Sequence, residues 1–256
     1  MNQIPAVHPE AFVGKNAIVT GAASGFGTAI AEQIAAAGGR VVVADINGDG
    51  AKAVADRLPG AIAVTVDLGD PASIRNLIDT TVAELGQIDV LCNNAGVPHR
   101  IGHVFDFDID TFEQQMNINV RSIFLAAKYA YPHMPDGSVI VNTTSVSAIR
   151  PRPGRALYNT SKGAAHTLTL CLASELAPRI RVNSVQPVAS STGFITAATG
   201  KSEMTPELEA SVISGIPMGR QAEPADIGAA VAFLASPAAR FLTGVCLPVD
   251  GGRSIQ

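Results

Sequence analysis

Short apolar runs recur along this chain with helical stretches between them, at Ala17–Thr20, Val41–Asp45, Ala61–Asp67, Ile88–Asn93, Ser138–Thr144, Ile180–Gln186 and Gly244–Val249. Their near-continuous Val, Ile and Ala content lacks the period-two alternation of a strand with one wet face, so each is expected to be covered on both faces. Helical patterns at Gly27–Ala37, Gly48–Leu58, Pro71–Leu85, Asp108–His133, Ala156–Ala177 and Pro224–Leu234 fill most of the intervals. Strands joined through helices imply parallel crossovers, and hence an α/β fold with a doubly wound, seven-stranded parallel sheet and helices on both faces. Asp70 before Pro71 predicts a helix start, and Gly38-Gly39 predicts a left-handed helix end. The least regular stretch, Pro187–Met218, carries a short helical pattern at Pro206–Ser214, and a loop of that length is usually functional.

No linker, repeat or low-complexity stretch divides the 256 residues, so one domain over 1–256 is expected. With 47% hydrophobic and 16% charged residues and a mean hydropathy of +0.26, the chain can bury a large core and subunit interfaces besides. Eighteen Lys and Arg against 22 Asp and Glu leave no basic footprint for nucleic acid or an anionic membrane, and a small-molecule partner fits better. The first 14 residues hold neither Lys nor Arg and no continuous apolar stretch, and no segment is long enough to span a bilayer. The cytoplasm is therefore expected. Cys92, Cys171 and Cys246, odd in number and widely spaced, read as reduced core residues. His99, Arg100 and His103 lack a carboxylate or thiol at ligand spacing and read as solvated loop residues at a pocket mouth, so no metal is expected.

The first strand runs into Thr20-Gly21-Ala22-Ala23-Ser24-Gly25-Phe26-Gly27, a glycine-rich turn that opens a helix. Backbone there can approach a pyrophosphate, with helix N-terminal amides aimed at the anion, although a tight strand-to-helix turn alone also accounts for the glycines. Asp45 ends the second strand 18 residues after Gly27. Its carboxylate can accept from adenosine ribose hydroxyls and repel a 2′-phosphate, which favours NAD over NADP; a turn aspartate before Asn47-Gly48 is the plainer alternative. Asp67, at the end of the third strand, and Asn93-Asn94-Ala95-Gly96, at the end of the fourth, gather polar groups at the carboxyl edge where open α/β sheets bind ligands.

Tyr158 and Lys162 stand four residues apart near the start of a helix and share a face, which sets an ammonium beside a phenol and favours proton transfer. Ser145 ends the fifth strand 13 residues earlier and can hold a substrate oxygen, although Thr143, Thr144 and Ser147 compete for that part. Between Ser145 and Tyr158 lie Arg150, Arg152 and Arg155, three guanidinium groups within six residues. They suit a carboxylate-bearing substrate, or else a stiff surface loop facing solvent or a neighbouring subunit.

On the glycine loop, the Asn93-Asn94-Ala95-Gly96 run and the Tyr158-to-Lys162 spacing, the chain resembles the short-chain dehydrogenase/reductase family in its one-domain branch, over nearly its whole length. The resemblance implies a Rossmann-type fold and an NAD-dependent oxidoreductase that interconverts a secondary alcohol and a ketone. It implies Ser145, Tyr158 and Lys162 as the catalytic group, with Asn119 holding a water in the proton relay. Around the cofactor it implies Gly21, Ser24, Gly25, Phe26, Gly27 and Asp45, with Asp67 and Leu68 flanking adenine. Asn93, Ala95 and Gly96 support the adenosine side, and Tyr158 and Lys162 reach the nicotinamide ribose side. Pro187 and Thr192 border the nicotinamide. The family's usual Pro-Gly after the sixth strand is Pro187-Val188 here, which puts the Thr192 contact in question. A homotetramer is implied, assembled through Asp108–His133, Ala156–Ala177 and the C-terminal strand region. A non-catalytic NAD-sensing protein on the same fold, or a methyltransferase-like nucleotide fold, are the competing classes, and neither needs Ser145, Tyr158 and Lys162.

Overall fold

Alternate residues of the central strands feed two separate apolar cores. Ala17, Val19, Val41, Val43, Val139 and Val141 face one core, while Ile18, Val42, Ala44 and Ile140 face the other. Successive side chains of a strand point to opposite faces, so a strand covered on both sides shows no polar alternation in its sequence.

The computed structural model describes residues 7–188 and 205–256. β1 (Asn16–Thr20), β2 (Arg40–Asp45), β3 (Ile62–Thr65), β4 (Val90–Asn93), β5 (Ser138–Thr143), β6 (Ile180–Pro187) and β7 (Cys246–Val249) form one parallel sheet in the order β3-β2-β1-β4-β5-β6-β7. This is the doubly wound, Rossmann-like architecture the sequence predicts. The winding reverses between β1 and β4, which opens a crevice at their carboxyl ends. β3 and β7 are shorter than their apolar runs, because β3 pairs only with β2 and β7 only with β6.

One face carries α1 (Gly25–Ala36), α2 (Gly48–Ala55) and α8 (Pro224–Ala235), through Ile30, Ile34, Val54, Ile227, Val231 and Leu234. Gly228 lets α8 approach α1, since a Cβ there would lie 2.8 Å from the Ala29 carbonyl oxygen. The other face carries α3 (Pro71–Leu85), α5 (Ser122–Ala130) and α6 (Ala156–Leu176). Ile74, Leu77 and Ile78 of α3 are fully buried, and each such side chain contributes about 1.5–3 kcal/mol. The Asp70 side chain accepts from the Ala72 amide at 2.9 Å, and Gly38 takes φ 90°, so both helix-boundary readings hold. α7 (Pro206–Ile213) matches the short helical pattern before the last crossover.

The stretch expected as one helix over Asp108–His133 is composite. α4 (Ile109–Met116) leads into a π-helical segment, Asn117–Arg121, then α5 and a 3₁₀ turn at Tyr131–His133. The apolar periodicity runs through all of it, so the sequence shows the helix and not the extra residue per turn. Cys171 is also corrected: Cys92 is buried and Cys246 half-buried, but Cys171 is exposed. Buried Thr169 and Ala173 occupy the inner face of α6, and the residue midway between them must point away. His99 is buried, 6% exposed, with its ring 4.5 Å from that of Phe107, while Arg100 and His103 are exposed as expected. Among the described residues, no helix is long and apolar enough to cross a membrane.

Candidate active site

After β1 the chain turns through Gly21, φ 65°, and Gly25, φ 55°, into α1. A Cβ at Gly27 would lie 2.1 Å from the Gly21 carbonyl oxygen, and one at Gly21 would lie 2.9 Å from the Ala95 Cα. Both glycines are thus fixed by close approach. Ser24 occupies the N-cap of α1 without a side-chain cap bond, and the first turn holds no acidic residue. The N-terminal amides therefore remain for an anionic ligand. Phe26 packs half-buried against the core beneath.

Asp45 serves both of its candidate parts. One carboxylate oxygen accepts from the Ala23 amide in the glycine loop at 3.0 Å, and the other from the Asn47 amide at 2.9 Å. Each oxygen keeps a further lone pair, so the group stays competent to accept from a ribose hydroxyl. Asp67 lies exposed just past β3, accepting from the Gly69 amide at 2.7 Å, with Leu68 9% exposed beside it. These features fit a dinucleotide: an uncapped helix start for its pyrophosphate and a carboxylate one strand away for its ribose.

At the β4 exit the two asparagines part company. The Asn93 amide donates to Asn142 Oδ1 at 2.9 Å, and Asn142 donates to Thr169 Oγ1 at 2.9 Å, so the Asn93 side chain turns into the protein. Asn94 instead faces the crevice rim. Its Nδ2 donates to the Thr20 carbonyl at 3.0 Å, its backbone amide to Thr20 Oγ1 at 3.0 Å, and its Oδ1 accepts from Thr143 Oγ1 at 3.3 Å. Sequence reasoning passed over Asn94, although alternation alone signals that two successive asparagines face opposite ways.

Ser145 sits past β5 as the N-cap of a 3₁₀ turn, its Oγ accepting from the Ser147 amide at 3.1 Å. Its hydroxyl is hydrogen-bonded to the Tyr158 phenol. The rival hydroxyls are committed elsewhere, Thr144 to the Val185 carbonyl and Thr143 to Asn94. Tyr158 and Lys162 are buried on one face of α6, and Lys162 Nζ lies 5.8 Å from the Tyr158 ring centre while donating to the Thr143 carbonyl at 2.9 Å. Burial pushes the phenol up to about 12, against the pull of Ser145 and of the Arg155 charge. Burial likewise pushes Lys162 down to about 8. The downward pull expected from Lys162 is thus outweighed by desolvation, which penalises phenolate and ammonium alike.

Asn119 lies in the π-helical segment and is fully buried. Its Oδ1 accepts from the Val97 amide at 2.9 Å, and its Nδ2 donates to the Val97 carbonyl at 3.0 Å and to Ser161 Oγ at 3.0 Å. A Cβ on Gly96 would come within 3.1 Å of both Asn119 Oδ1 and Lys162 Nζ. Gly21, Ala95, Gly96, Asn119, Lys162 and Thr143 therefore form one continuous wall from glycine loop to catalytic helix. Pro187 ends β6 opposite Val249, Val188 is 5% exposed without a positive φ, and Thr192 lies outside the described residues.

Residues 21–254 match the family model described as enoyl-(acyl carrier protein) reductase. The 4-formylbenzenesulfonate dehydrogenase of Comamonas testosteroni is 41% identical over 246 residues, covering 93% of this chain and 97% of that one. The chain belongs to the short-chain dehydrogenase/reductase family. Among solved structures of similar proteins, the 3-ketoacyl-(acyl-carrier-protein) reductase of Brucella melitensis, complexed with NADH, superposes with a TM-score of 0.88 at 37% identity, over 94% of this chain and 99% of that one. A blue fluorescent protein from a metagenomic library, in complex with NADPH, superposes at 0.86 with 34% identity, over 95% and 99%. Membership in this dehydrogenase/reductase family makes the chain an oxidoreductase by kinship, and both nicotinamide cofactors occur among its structural neighbours.

Proposed function

We propose that this protein is an NAD-dependent oxidoreductase that interconverts a secondary alcohol and a ketone, with Tyr158 as general acid and base. The observation that carries this reading is the buried Tyr158 phenol bonded to Ser145, with Lys162 one helical turn further along. A non-catalytic nucleotide-binding protein has no use for it, because burying a phenol and an ammonium together costs stability.

Bound in the crevice, a nicotinamide dinucleotide supplies the hydride acceptor or donor. The pyrophosphate is held by the Gly21–Gly27 amides and the adenosine ribose by Asp45. Asp67, Leu68, Ala95, Gly96 and the backbone at Asn93 line the adenosine side, and Pro187 and Thr192 the nicotinamide side. Asp45 favours NAD, because two unit charges about 4 Å apart interact by ~4 kcal/mol at an effective dielectric of 20, and no Lys or Arg lies between Thr20 and Gly39 to offset it.

The Ser145 hydroxyl orients the substrate oxygen by a hydrogen bond. Tyr158 gives that oxygen a proton as a ketone is reduced, or takes one as an alcohol is oxidised. A phenol held up to about 12 is an acid at neutral pH. Acting as a base, it draws on the cationic charge of Lys162 and Arg155 to support the phenolate. Asn119 fixes the crevice wall behind Lys162 and holds a water of the proton relay.

Tyr158→Phe tests the reading. Turnover, followed by nicotinamide absorbance over a panel of alcohols and ketones, is expected to fall at least a hundredfold, about 2.7 kcal/mol of barrier, with NAD affinity nearly unchanged. Near-normal turnover in the variant refutes the assignment.

A further inference from the structure

The loop between Ser145 and Tyr158 is pinned. The Asn159 side chain donates to the Arg152 carbonyl at 2.9 Å, and the Gly102 amide donates to the Gly154 carbonyl at 3.1 Å. Gly154 takes φ 75° with Ile101 close against it, where a Cβ would meet Ile101 Cγ2 at 2.9 Å. On this frame Arg150, Arg152 and Arg155 are half-buried, joined by Arg253 from the C-terminal segment. Arg150 Nη1 donates to the Arg253 carbonyl at 2.7 Å, and Arg253 Nη1 to the Gly215 carbonyl at 2.6 Å.

Among the described residues, none of these four guanidinium groups has a carboxylate within 4.0 Å, whereas Arg220 pairs with Asp226 at 2.7 Å and Arg179 with Asp136 at 3.4 Å. Burial, and then the charges of Arg253, Arg155 and Arg150, hold Arg152 below its usual range. Arg155 is moreover the N-cap of the 21-residue helix α6, the end at which the helix dipole disfavours a cation. The group is also contiguous with the chemistry, because Arg155 stands three residues before Tyr158 on the same helical face and its charge acts on the phenol. Crowded, half-desolvated cations without counter-ions are relieved by an anion, and the planar guanidinium fork suits a carboxylate or sulfonate.

We infer that Arg152 and Arg155 form a subsite for a carboxylate or sulfonate group carried by the substrate, placed so that the alcohol or carbonyl carbon of the same molecule lies at Ser145 and Tyr158. The inference rests on the catalytic reading above and deepens it. Arg150 and Arg253 act as positioning residues, their forks spent on backbone carbonyls that tie the loop to the C-terminal segment.

The test uses the full-length protein loaded with NAD, in wild type, Arg152→Gln, Arg155→Gln and Tyr158→Phe. Turnover is compared for 4-(hydroxymethyl)benzoate and its methyl ester, and calorimetry compares binding of benzoate, benzenesulfonate and benzamide. The wild type is expected to prefer the acid over the ester at least tenfold in kcat/KM and to bind both anions but not benzamide. Each arginine variant is expected to lose at least ten times more on the acid than on the ester, chiefly in KM, with anion binding falling in parallel. Acid and ester used equally by the wild type, or equal losses on both in the variants, overturns the subsite. So does a change of oligomeric state in the variants with the acid preference intact, which assigns the arginines to a subunit interface. Anion binding that depends on Arg152 and Arg155 while Tyr158→Phe retains turnover supports the subsite and refutes only the catalytic reading.

Discussion

Replacing Lys162 with methionine is expected to make the cofactor-free protein more stable while abolishing its activity. Lys162 is 3% exposed, and its ammonium has one hydrogen bond, to the Thr143 carbonyl. Burial holds it at about 8 in place of 10.5. At ~1.4 kcal/mol per tenfold change in proton affinity, keeping the ammonium charged in the fold costs ~3 kcal/mol. Methionine has a similar length and no charge, but it leaves the Thr143 carbonyl without that donor, a loss of ~1–2 kcal/mol. The net gain is ~1–2 kcal/mol, or about 2–8 °C in Tm for a chain of this size. The sign with pH follows from linkage. A lysine depressed in the fold carries its full penalty below about 8, and sheds it as pH rises towards 10.5, because only the unfolded chain then holds the proton. Thermal unfolding of wild type and Lys162→Met at equal protein concentration should therefore show the largest difference at pH 6–7. The difference should close by pH ~10 and reverse beyond it, where only the lost hydrogen bond remains. A variant less stable than wild type at pH 7, or a difference that grows with pH, refutes the reasoning.

Asp45→Ala is expected to weaken NAD at least tenfold and to relieve the penalty on NADP, measured as kcat/KM for each cofactor; a wild type that already prefers NADP contradicts the part given to the carboxylate. The protein is expected to be a homotetramer, since Ile109, Phe112 and Phe124 on the α4–α5 run, Leu170 on α6, and Phe241 and Ile255 near the C-terminus are exposed apolar side chains. Light scattering that shows a monomer at working concentration refutes it.

The sheet was legible because burial on both faces leaves an unmistakable mark, a run of Val, Ile and Ala without alternation, and five of the seven runs match strands to within about two residues. Boundaries failed at β3 and β7, where pairing with a single neighbour decides the length and composition does not. In the site, glycine spacing, Asp45 and the Tyr158-to-Lys162 interval could be read because they are local. What could not be read depends on groups remote in sequence. Ser145 stands apart from Thr143 and Thr144 only once β4 and β6 supply partners for those hydroxyls. Asn93 and Asn94 exchange importance because Asn142 lies on one side of the sheet and Thr20 at its rim. The Tyr158 acidity is set by burial, which no i, i+4 rule contains.

The π-helical segment at Asn117–Arg121 gives the α4–α5 run an unusual relation to chain length. It is out of phase by one residue with an ordinary helix, much as a spliced thread is out of phase with the rest of a screw. Deleting a single residue there would restore the common pitch and rotate everything downstream by about 100° and 1.5 Å. Ala126, Ala127 and Ala130 would leave the core, and the outward apolar side chain of Phe124 would swing with them. Side chains in this stretch are therefore freer to vary than its length is. An insertion or deletion of one residue, harmless in most surface helices, would here unseat Asn119 and redirect the outer face at the same stroke.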